Sequence, residues 1–133
     1  MTNTELRIGN WIAYHGIPVK VSMVGLVTID IFGPYLDPDR ASLTPIPLTP
    51  EILVKCGFVK TTSVIGEGSF AIDYVDYRLG NMVATVIDAG IEIDFAPEFD
   101  TIEDRNYVAI VHHLHTLQNL FYSLTGTELN YTP

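Results

Sequence analysis

Tyr107-Val-Ala-Ile-Val-His-His-Leu-His-Thr-Leu-Gln-Asn-Leu-Phe-Tyr-Ser-Leu-Thr-Gly126 is the stretch whose reading decides the fold. Tyr107, Ile110, Leu114, Leu117, Phe121 and Leu124 recur at alternating spacings of three and four, which predicts one apolar stripe along a long α-helix. Gly126 supplies a left-handed stop. Gln118 projects inside the apolar arc, beside Val111 and Leu114, and a buried amide there must find hydrogen-bond partners. The partner expected is the backbone of a strand end or loop. The stripe suits burial against the chain's own sheet first, and a helix pair in a homodimer second.

Upstream of this helix, Ala96 to Asn106 reads as an acidic connector, with Asp100 and Glu103 spaced as a capping box. Val59–Val64, Ser69–Leu79, Met82–Asp88 and Ile91–Phe95 read as strands, punctuated by Gly66-Glu-Gly68, Gly80-Asn81 and Ala89-Gly90. The last two form a predicted hairpin. In it Ile91, Ile93 and Phe95 alternate with Glu92 and Asp94, which places the two acids on a solvent-facing surface.

Pro47-Leu-Thr-Pro-Glu-Ile-Leu-Val-Lys-Cys-Gly-Phe58 carries the signals of a two-turn helix. Thr49 is the N-cap, Pro50 the first helical residue and Gly57 the left-handed residue after the end. Gly33 to Pro45 reads as a loop. Before it, Trp11–Tyr14, Val19–Val24 and Leu26–Phe32 predict a meander of short strands, with a turn at His15-Gly16, and at the level of fold analogy this resembles a small SH3-like barrel. The expectation is one α+β domain over residues 1–133: a mostly antiparallel sheet, a short central helix and one long C-terminal helix packed on the sheet.

Composition narrows the function classes. With 133 residues, 47% hydrophobic and 17% charged, the chain is long and apolar enough to bury a core. No apolar run approaches the ~18 residues that span a bilayer, and the first residues have no basic leader or apolar region, so a cytoplasmic protein is expected. The net charge of −9 is concentrated between Glu67 and Asp104, where ten acids face one base, Arg78. Such a surface suits a basic protein partner and disfavours nucleic acid, whose phosphates call for clustered Lys and Arg.

Chemistry is sparsely signalled. His112 and His115 are weak metal-ligand candidates, because the spacing of zinc peptidases, with an intervening Glu, is missing. Glu92 with Asp94, or Asp73 with Asp76, would make a carboxylate pair of the kind metal-dependent hydrolases use. Cys56 alone excludes an intramolecular disulfide. Trp11, Tyr14, Phe32 and Tyr35 cluster in or near the N-terminal strands and offer an aromatic binding surface. No motif calls for a cofactor.

Glu5-Leu-Arg-Ile-Gly-Asn-Trp11, Pro45-Ile-Pro-Leu-Thr-Pro-Glu51 with Cys56-Gly-Phe58, and Val111-His112 through Leu117-Gln-Asn-Leu120 to Leu124-Thr-Gly-Thr-Glu-Leu129 together form a pattern. It resembles a family of small uncharacterised proteins common in Bacteroidota genomes and their prophages or phages. Extra residues separate His112 from the Leu117-Gln-Asn-Leu120 run relative to that family. The resemblance implies a mobile-element setting and no activity. The function expected is therefore a non-catalytic interaction factor, with Asp88, Glu92, Asp94, Trp11 and Gln118 as contact candidates. A small metal-dependent hydrolase is the alternative.

Overall fold

The structure, a computed structural model, describes residues 3–26, 28–34, 38–65, 67–96 and 105–133. They divide into two compact units: Met1–Leu48 with His113–Pro133, and the inserted segment Thr49–His112.

The first unit opens with β1 (Trp11–Tyr14), β2 (Ile17–Val24), β3 (Ile29–Ile31) and β4 (Leu43–Thr44). These form an antiparallel sheet in the order β3-β2-β1-β4, so the predicted meander of β1 to β3 is present. His15 and Gly16 turn the β1–β2 hairpin with φ of 50° and 78°. Two successive positive φ angles match the twist of the strands they join, and glycine takes the second at no steric cost. Leu43–Thr44 lies inside the stretch expected to be a loop; it is the short strand that pairs with β1 at Ala13 and Tyr14. Leu6, Ile12, Val19, Val21, Ile29, Ile31 and Leu43 form the core here, with Tyr14 and Val24 packed against it.

The second unit begins with α1 (Pro50–Lys55), and its end signals all act as expected. The Thr49 hydroxyl accepts from the Ile52 N–H at 3.3 Å. At the other end Gly57 has φ +94°, its N–H reaches the Val54 carbonyl, and the Phe58 N–H reaches the Leu53 carbonyl. That double closure is a Schellman ending. There follow β5 (Val59–Ile65), β6 (Ile72–Leu79), β7 (Met82–Ile87), β8 (Gly90–Phe95) and β9 (Asn106–Val111). They make a sequential antiparallel sheet, β5-β6-β7-β8-β9.

The fifth strand of this sheet corrects the sequence reading. Asn106–Val111 is not the start of the C-terminal helix but pairs with β8 from Ile91↔Val111 to Phe95↔Asn106. Tyr-Val-Ala-Ile-Val is rich in β-branched and aromatic side chains, and β8 offers it an open edge. Tyr107, at 63% exposure, has no place in a buried stripe.

The helix, α2 (Leu114–Thr125), starts seven residues later than expected and belongs to the first unit. His113, extended at φ −132°, is its N-cap, and Gly126, at φ +72°, ends it with an N–H bond to the Tyr122 carbonyl. α2 packs on β1. Its buried residues are Leu114, His115, Leu117 and Gln118, while Leu124 at the far end is exposed. The fold is α+β, with two antiparallel sheets, a short helix and a C-terminal helix. Among the described residues no helix is long and apolar enough to cross a membrane. The predicted capping box at Asp100 and Glu103 lies outside the described residues.

Candidate functional site

In the first unit a polar network anchors Trp11. The Gln118 Oε1 accepts from the Trp11 backbone N–H at 2.8 Å, which is the strand-end bond its place in the apolar arc requires. The Asn10 side chain caps the turn ahead of β1 by accepting from the Arg7 N–H at 2.7 Å, and its amide donates to Asn119 Oδ1 at 2.9 Å. Asn119 Nδ2 donates in turn to the Glu5 carbonyl. Arg7 spreads its guanidinium over four partners: Nε donates to Asn119 Oδ1 and Nη1 to Glu128 Oε1, both at 2.7 Å, Nη2 donates to the Gln118 carbonyl at 3.4 Å, and Cζ lies 4.6 Å from the Tyr122 ring centroid. The hydrogen bond from Arg7 holds the Glu128 carboxyl below the usual range.

Parts of three separated stretches thus meet in the first unit. Glu5–Trp11 and Gln118–Glu128 join through this network, and Ile46 and Pro47 bond to the start of α2, where the Leu114 N–H donates to the Ile46 carbonyl and Pro47 bridges His113. Their shared polar residues have structural partners.

The network leaves the Trp11 ring at the surface, half-buried. Tyr131 meets it edge-on, with centroids 5.2 Å apart, and Lys20 Nζ lies 5.3 Å from the ring centroid, its strand position directly opposite Trp11. A concavity lies on each side. One, of about 200 Å³, is lined by Ile8, Trp11, Lys20, Leu129 and Tyr131 among others. The second, of about 330 Å³, is lined by Trp11, Pro18, Val19, Lys20, Phe32 and Gly33. Ile8 and Phe32 present apolar side chains at the two rims, each more than half exposed. Of the aromatic residues predicted to share a surface, Trp11 and Phe32 do so, Tyr14 instead packs on the core and meets His15 edge-on, and Tyr35 lies outside the described residues.

The histidines serve separate purposes. His112 closes over Gly90, where a Cβ would come within 2.8 Å of its imidazole. His113 stands at the N-cap position of α2 with no side-chain cap bond, and His115, the second helical residue, is buried at 3% exposure, its ring stacked on His113 at 5.7 Å and 9°. Near-parallel rings at that separation do not aim two nitrogens at one ion. Among the described residues no three His, Cys, Asp or Glu side chains are grouped to hold a metal.

The predicted acidic face of the second unit is corrected in part. Asp88 and Glu67 are exposed and Glu92 is half-buried, but Asp94 is buried at 7% exposure. The alternation assigns Asp94 to the face opposite Ile93, and that face is covered as well: Val83, its cross-strand partner, is fully buried. Asp76, 2% exposed, accepts from Arg105 at 2.8 Å and from the Thr85 hydroxyl at 3.0 Å. Burial raises the Glu92 carboxyl, and the neighbouring, hydrogen-bonded Asp94 raises it further, against a lowering by Arg105. Glu98, Asp100, Glu103 and Asp104 lie outside the described residues, as does the side chain of Asp73.

Sequence reasoning missed Arg7, Asn10, Lys20, Asn119, Glu128, Tyr131 and Arg105. Asn10 carried a local signal, since an Asn beside a glycine turn readily bonds nearby backbone. Lys20 faces Trp11 across the short β1–β2 hairpin, and the others act over long sequence separations, up to 121 residues for Arg7 and Glu128, which no local pattern encodes. Compared with known proteins, the chain matches no family model, no curated protein and no solved structure.

Proposed function

We propose that this chain is a non-catalytic protein-interaction factor that engages a protein partner through the Trp11 surface. The carrying observation is the placement of Trp11: its backbone is fixed by Gln118 while its ring stands between two concavities with apolar rims. A rigid aromatic anchor beside a pocket is the arrangement that concentrates binding energy in protein interfaces. The exposed acids Glu67 and Asp88, within the strongly acidic segment, favour a basic partner and speed its approach. A phage or mobile-element role is supported by the sequence resemblance alone. A homodimer through α2 would have to use its outer end, near Leu124, because Leu114 and Leu117 are buried within the chain.

Photo-crosslinking from position 20 in host lysate, with wild type and Trp11→Ala at low and high salt, tests this reading. One partner should crosslink to the wild type, weaken at high salt, and be lost at least about tenfold with Trp11→Ala, a hot-spot-sized loss. Equal crosslinking by a folded Trp11→Ala protein would refute it.

One observation favours a second reading, the metal-dependent hydrolase. A raised carboxyl beside a second carboxylate, as at Glu92 and Asp94, is the pairing that general acid catalysis uses. Hydrolysis of ester or phosphodiester substrates that needs added divalent metal and is abolished in Glu92→Gln would establish it.

A further inference from the structure

His113 and His115 occupy the first positions of α2, where the helix dipole is positive and a cation is disfavoured. Their rings are stacked 5.7 Å apart. His115 is 3% exposed, and its Nδ1 is buried with no hydrogen-bond partner among the described residues. A proton added to Nδ1 would therefore be a buried donor with no acceptor, on a ring already facing a second histidine. On the other side, the Glu5 carboxylate lies 3.9 Å from His115 Nε2, but it is half exposed and so a weak counter-charge. The described groups that act on His115 are thus His113 from the N-cap position and Glu5 from the N-terminal turn, of which only Glu5 favours the charged form.

The same helix start holds the first unit together. The Leu114 N–H bonds the Ile46 carbonyl, His113 bridges Pro47, and Gln118, one turn on, holds the Trp11 backbone.

We propose that the stacked His113–His115 pair is an acid-operated latch: protonation of His115 opens the first turn of α2 and loosens the Trp11 platform. Burial, with His113 next, lowers the affinity of His115 for a proton from the ordinary 6.5. The closed form binds that proton less well than the open form, so its stabilising effect is complete above pH 6.5. It is lost as pH falls below 6.5 towards the lower folded value. The latch is independent of what the Trp11 surface binds.

Amide hydrogen exchange at Leu117 and Gln118 of the full chain, corrected for intrinsic rates, should speed up by as much as about tenfold per pH unit below 6.5, the slope of a one-proton linkage. The sole tryptophan, Trp11, should report the same transition by fluorescence. His115→Phe, which keeps a ring and removes the proton site, should abolish both changes. His113→Gln, which removes the facing histidine, should move the midpoint towards 6.5. Direct NMR titration of His115 in the wild type covers the case in which His115→Phe fails to fold. Persistence of the acid transition in folded His115→Phe, or a wild-type His115 that titrates at or above 6.5 without faster exchange at Leu117, would overturn the proposal.

Discussion

The side-chain oxygen of Gln118 and the backbone N–H of Trp11 are joined by a 2.8 Å hydrogen bond that ties the middle of α2 to the first residue of β1. The amide is 2% exposed and sits beside Leu114 on the buried side of the helix. Gln118→Leu keeps the volume and removes the acceptor, leaving the Trp11 N–H without its partner. A loss of about 1–3 kcal/mol is expected from denaturant unfolding, together with a changed Trp11 emission in the folded state. Unaltered stability and emission would show that the bond has no role in positioning Trp11.

Asp76 and Arg105 form a 2.8 Å ion pair with both side chains largely withdrawn from water. Removing only the cation leaves a buried carboxylate without its counter-charge. Arg105→Met should therefore destabilise the chain by about 3–5 kcal/mol, whereas Arg105→Met with Asp76→Asn should recover a good part of that loss. Thermal melts of the two variants at the same pH check the difference.

Glu92 titrates above its ordinary range because of burial and the adjacent Asp94. A carboxyl raised in the folded state contributes stability that is full below its unfolded value, near 4.5, and lost as pH climbs through the folded value. Ionised Glu92 is thus a small burden at neutral pH. Glu92→Gln should raise the melting temperature at pH 7, with the advantage vanishing near pH 4. An equal effect at both values would remove Asp94 repulsion as the cause.

Burial pushes the Cys56 thiol up to about 12, and the residue is 5% exposed at the end of α1. Thiolate is the reactive form, so a disulfide reagent at pH 8 should leave native protein unlabelled. Labelling should follow the unfolding curve in denaturant. Rapid labelling of the folded chain would place Cys56 at the surface.

Short-range features were legible in the sequence. Thr49, Pro50 and Gly57 determine α1 because a cap, a fixed φ and a left-handed stop act within one or two turns of the residue that supplies them. The β7–β8 hairpin followed from its alternation and punctuation in the same way. The need of Gln118 for a partner was also readable, since an amide in an apolar arc cannot stay unbonded.

Only the tertiary structure decided the rest. Tyr107 to Val111 satisfies a helical spacing and a strand composition at once, and the open edge of β8 selects the strand by offering backbone hydrogen bonds. Alternation told which side of β8 carries Asp94, but burial depends on what covers that side, and Asp94 is buried. The Trp11 surface is assembled from Ile8, Lys20, Phe32 and Tyr131, and the network beneath it bonds Arg7 to Asn119 and Glu128. A residue's local chemistry determines that it requires a partner; the path of the chain through space determines which partner it meets.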